Sequence, residues 1–67
     1  MVTFTEMTDW AFHVAWNDPN KAEGLSILVR CQFPSVSNID ADEIADEAIN
    51  GVREAADQWD QVRRNFD

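Results

Sequence analysis

Cysteine is nearly absent from this chain: Cys31 is the single one, so no internal disulfide is possible. Histidine is equally scarce. His13 and Cys31 together cannot close a tetrahedral zinc site without carboxylate help, and no metal or other cofactor is expected. With two glycines, Gly24 and Gly51, a phosphate-cradling loop is excluded. Uninterrupted apolar runs are short (Ile27–Val29, for instance), far below the ~20 residues that span a bilayer. The N-terminus lacks a basic stretch followed by an apolar run, so no signal peptide is expected. A lone thiol fits a reducing cytoplasm, the expected location. Positive charge is the last scarcity. Five Lys and Arg make direct binding to nucleic acid or to an anionic membrane unfavourable, because phosphate affinity comes chiefly from those side chains.

What the chain has is acid. Thirteen Asp and Glu give 67 residues a net charge of -8, for which a basic protein surface is the natural partner. The length allows one domain, residues 1–67, with a small core, and below ~70–80 residues a core is commonly reinforced by a partner chain. Seven aromatics, three Trp and four Phe, could serve either a packed core or a homodimer.

Two periodicities divide the sequence. Trp10, Phe12, Val14 and Trp16 alternate with Ala11, His13 and Ala15, and the even positions continue back to Val2. Leu25, Ile27, Val29, Cys31 and Phe33 alternate again. The alternation predicts strands over about 2–16 and 25–33, joined by the turn-forming segment 17–24 and stopped by Pro34. From Asp40 the spacing becomes helical: Ala45, Ala48, Val52, Ala55, Trp59, Val62 and Phe66 lie three and four apart. A helix over about 40–65 follows, with Asp40 as N-cap, Glu43 reaching back, and Arg63 and Arg64 in its last turns. Trp59 and Phe66 call for a deep socket, and Gly51 for a close backbone contact or a bend. The expected fold is α+β: a short antiparallel sheet of two or three strands packed by one long C-terminal helix.

No constellation supports an enzyme. The pairs Asp42/Asp46, Glu43/Glu47 and Asp57/Asp60 lie away from the apolar stripe and read as a solvated face. No segment alternates oxygen ligands as an EF-hand loop does. His13 reads as a surface residue, and Cys31 as a small core residue. The helical segment is different in kind, because residues 40–67 carry nine acids against three arginines, -6 of the total -8. Carboxylates in a row along a rigid helix can imitate phosphates and compete for a Lys- and Arg-lined groove. Asp40, Asp42, Glu43, Asp46, Glu47, Glu54 and Asp57 are the candidate partner-binding residues, with Trp16, beside the loop, as an aromatic anchor.

In size, charge and acidic helix the chain resembles the small inhibitors that phages encode against bacterial defence, anti-CRISPR proteins and DNA mimics among them. That resemblance implies a CRISPR effector or another nucleic-acid-processing complex as partner, inhibited by occupancy of its basic surface in the host cytoplasm. Residues 42–55, DEIADEAINGVREA, read as following two strands, are similar to the helix of HicB-like antitoxin domains, which neutralise a small basic toxin that cleaves mRNA. An alternative of another class is a structural homodimer in which Trp59 and Phe66 pack across a two-fold axis.

Overall fold

The computed structural model describes residues 2–66, with side chains through residue 65. Helix α1 spans Phe4–Asn17, a 3₁₀ turn spans Pro19–Gly24, α2 spans Leu25–Gln32 and α3 spans Asn38–Phe66. No strand occurs among the described residues, so the fold is all-α and the expected sheet is absent.

The correction has a local cause. Thr3 caps α1: its hydroxyl oxygen accepts the Glu6 N–H at 3.1 Å, the first half of a capping box. Once the chain turns helically, Trp10, Phe12, Val14 and Trp16 spread around the helix, and the buried pair is Ala11 and Ala15. Those alanines sit one turn apart, on one side of α1. In α2 the buried pair is Leu25 and Val29, also one turn apart, and Ile27 of the supposed core face is 61% exposed. Cys31 is exposed as well, contrary to the core position expected for it. Between these helices Asp18 accepts the Asn20 N–H at 3.1 Å, and Pro19 takes the first 3₁₀ position, where its missing N–H costs nothing. Residues 17–24 are therefore an ordered turn.

Helix α3 begins two residues before the expected Asp40. Ser37 is the cap, its Oγ accepting the Asp40 N–H at 3.1 Å while its carbonyl accepts the Ala41 N–H at 2.9 Å. Asp40 instead occupies the first turn, where its charge suits the helix dipole. At 1.5 Å per residue, 29 residues measure ~43 Å, close to the 46 Å long axis of the molecule. The three helices run up, down and up. Phe4 and Thr8 lie beside Ala48, Phe12 beside Gly51 and Trp16 beside Ala55, so α1 and α3 point the same way. Leu25 lies near Ala45 and Ile49, and Phe33 near Asp40, so α2 points back.

The core sits where all three helices meet, along the first half of α3. Among the described residues eight are buried: Ala11, Ala15, Leu25, Val29, Ala41, Ile44, Ala45 and Ala48. Five are alanines, which let the helix backbones approach closely but bury little area each. Trp10 closes the α2 side with an edge-to-face contact on Phe33, ring centroids 5.5 Å apart. Residues 56–65 of α3 are exposed throughout. Trp59, expected in a deep socket, is 60% exposed. The Phe66 side chain and Asp67 lie outside the described residues.

Candidate interaction surface

All seven candidate acids (Asp40, Asp42, Glu43, Asp46, Glu47, Glu54 and Asp57) are exposed on α3. The two close acid–base contacts among the described residues, His13–Asp9 at 3.5 Å and Arg64–Asp60 at 3.7 Å, involve none of them. None of the seven forms an ion pair among the described residues, although Arg53 lies one turn before Asp57.

The packing of α1 and α2 sorts these acids into two rows. Glu43 and Glu47 are one turn apart and Glu54 follows two turns on, which places them on the flank of α3 beside α1. Glu47 there borders a groove with Phe4, Thr8, Phe12 and Gly51. Asp42 and Asp46 stand one turn apart on the flank beside α2, next to Glu23, Leu25 and Ser26. Asp40 borders a third groove with Met7, Phe33 and Val36. Asp57 lies on the protruding half of α3. The seven acids are thus a belt around one helix, with no single straight row.

Comparisons with protein-family models, with curated proteins and with solved structures give no match. The surface must therefore be read from its own chemistry. Trp16, the expected anchor, lies at the surface end of α1. It is 42% exposed, yet its ring stacks on Phe12 with centroids 6.0 Å apart and planes 9° from parallel. It also borders a groove with Ala55, Gln58, Trp59 and Val62. No group of three or more His, Cys, Asp or Glu among the described residues is arranged to hold a metal ion. No helix among them is long and apolar enough to cross a membrane.

Alternation missed the groove side of α1. Phe4, Thr8, Phe12 and Trp16 recur every fourth residue, a row that a strand would place on one face together with Trp10 and Val14. The helix separates them: Trp10 turns to α2, whereas Phe12 and Trp16 turn to the far flank of α3. The four-residue recurrence was the signal in the sequence for that separation.

Proposed function

We propose that this chain is a non-catalytic acidic binding protein that acts in the cytoplasm. It inhibits a nucleic-acid-processing complex by occupying that complex's basic surface, as the anti-CRISPR and DNA-mimic inhibitors it resembles do. One observation carries the reading: seven exposed carboxylates on one rigid helix, none paired with a basic side chain among the described residues. An ordinary soluble helix commonly sets acids and bases four residues apart for mutual support. Here Asp42/Asp46 and Glu43/Glu47 set like charges at that spacing, which costs ~0.2–0.5 kcal/mol per pair. A cationic partner surface turns that cost into attraction and speeds encounter at low salt. The HicB-like alternative rested on a helix that follows two strands, and the residues before α3 are helical.

The test is capture of a tagged chain's partner from a bacterial lysate at low salt, followed by an activity assay on the captured complex. One basic nucleic-acid-binding complex should be released as salt rises, and the purified chain should inhibit it. Joint reversal of Asp42, Asp46 and Glu47 to Lys should weaken inhibition at least about tenfold at physiological salt. Inhibition that survives this triple reversal refutes the mechanism.

A further inference from the structure

A trough runs between α1 and α3 on the side away from α2. Its α1 wall is the row Phe4, Thr8, Phe12, Trp16, one residue per turn. Its α3 wall is Ala48, Gly51 and Ala55, continued past the end of α1 by Trp59 and Val62. Two grooves, of ≈ 350 and ≈ 290 Å³, lie along the trough, one bordered by Phe12 and the other by Trp16, whose rings stack on each other. Gly51 shapes the floor. A Cβ at that position would lie 3.2 Å from Phe12 Cδ2, so the bare glycine lets the ring lie against α3. From Ala48 to Val62 the α3 wall measures ~21 Å, and the α1 wall ~18 Å. That length matches three to four turns of helix.

The rims carry acids, with His13 on the α1 side 3.5 Å from Asp9. Asp9 borders the trough on α1 and Glu47 on α3, with Glu43 and Glu54 on the same flank as Glu47. No Lys or Arg occurs in α1. Arg53 and Arg64 continue the row of Asp46 at two and five turns, and Arg63 continues that of Ile49, so all three point to the α2 flank. Arg64 is also held there by Asp60. An apolar floor between acidic rims fits an amphipathic helix with Lys and Arg flanking its apolar stripe, a recurrent groove-binding mode. Nucleic acid and anionic lipid are repelled by these rims. A second copy of this chain, itself at -8, would set its own acids against them.

We propose that the α1–α3 trough docks one basic amphipathic helix of the partner protein, its apolar stripe on Phe12, Trp16 and Trp59 and its cations against Asp9, Glu43, Glu47 and Glu54. The inference rests on the acidic-binder reading above and adds which part of the partner is held, and where.

The experiment is an NMR titration of the isotope-labelled full chain with two synthetic peptides of about sixteen residues, matched to the trough length. Both contain the same Leu, Lys and Arg, one with Leu at helical spacing and one scrambled. The striped peptide should shift the amides of Thr8, Phe12, Gly51 and Ala55 and the Trp16 indole, saturably, and bind about tenfold or more tighter than the scrambled one. Glu47→Lys with Glu54→Lys should weaken it about tenfold, and Asp42→Lys with Asp46→Lys less than about threefold. All four side chains are exposed, so both variants keep the fold. Equal binding of the two peptides, with shifts on both flanks of α3, overturns the trough and leaves the acidic-binder reading standing. If neither peptide binds, the trough inference also fails. Should Trp59 and Val62 shift with protein concentration alone while the mass doubles, a second copy is the occupant and the proposal is wrong. The wider reading falls separately, if the triple reversal of Asp42, Asp46 and Glu47 leaves inhibition intact.

Discussion

Truncating Ile44 and truncating Trp59 should have very unequal costs, although both residues are large and apolar and both lie on α3. Ile44 is fully buried and, with Leu25 and Val29, is among the largest fully buried side chains of the described residues. Removing three carbons there loses their transfer free energy and leaves a cavity, together about 2–5 kcal/mol. A chain of this length has only about 3–10 kcal/mol to lose, at 0.05–0.15 kcal/mol per residue. Ile44→Ala should therefore remove about a fifth of the stability or more and lower the urea midpoint in proportion. Trp59 is 60% exposed, so less than half of the ~3–5 kcal/mol typical of a buried Trp→Ala change is at stake. Part of the remainder is returned by the better helix propensity of alanine, and the expected net cost is below about 1 kcal/mol. Urea unfolding followed by far-UV circular dichroism, with the slope held common to wild type and variants, reads both numbers. A cost at Trp59 equal to that at Ile44 would refute the reasoning, because it would mean that the protruding half of α3 is buried in solution. A cost below about 1 kcal/mol at Ile44 would refute the three-helix core itself.

Four further substitutions probe the packing and the capping of α3. Ala48→Leu forces a larger side chain between α1 and α3 and should cost about 1–3 kcal/mol, lowering the melting temperature by roughly 5–20 °C in a calorimetric scan. Ser37→Ala removes the oxygen that accepts the Asp40 N–H and should cost about 1 kcal/mol by chemical denaturation, whereas Asp40→Asn should cost less than about 1 kcal/mol, since Asp40 is not the cap. Gly51→Ala gains up to ~1 kcal/mol of helix propensity, less the cost of moving the Phe12 ring a few tenths of an ångström. The net should be a stabilisation of under about 1 kcal/mol with a changed Trp16 fluorescence, and unaltered fluorescence would show that Phe12 does not bear on Gly51.

Helix α3 was legible in the sequence because several independent signals coincide there: a 3.6-residue stripe, acids in the first turns and arginines in the last. Only its cap was misplaced, since Ser37 and Asp40 are both good capping residues and the choice depends on where the chain turns. Helices α1 and α2 were illegible because their apolar residues satisfy two periods at once. Around Trp10–Trp16 the residues between the aromatics are Ala, His and Ala, so only His13 opposes the apolar face that a strand would have. Alternation of apolar with apolar does not specify a sheet. Thr3 and Glu6 stand in the same capping spacing that identified α3, and Ala11 and Ala15 are strong helix formers one turn apart. In α2 the β-branched Ile27 and Val29 favour a strand, and packing of Leu25 and Val29 against α3 overrides them. The exposure of the seven acids was likewise legible, from their distance to the stripe. Which flank each acid occupies was not, because the flanks exist only once α1 and α2 are placed.

The thin core and the unneutralised belt of acid are linked energetically. Five alanines among eight buried residues leave little apolar burial to offset the entropy of ordering three helices. Like charges at Asp42/Asp46 and Glu43/Glu47 subtract from that small balance, and only acids in the first turn recover anything from the helix dipole. Salt and a docked helix relieve these costs differently. Salt screens the exposed carboxylates, with a Debye length of ~8 Å at physiological strength, but adds no apolar contact. A cationic amphipathic helix neutralises the rim and covers Phe12, Trp16 and Trp59 in the same event. At a hundred times its dissociation constant it would stabilise the chain by ~2.7 kcal/mol, as much as the buried Ile44 side chain is worth. The features that leave the free chain marginal are therefore those that make it responsive to a partner of opposite charge.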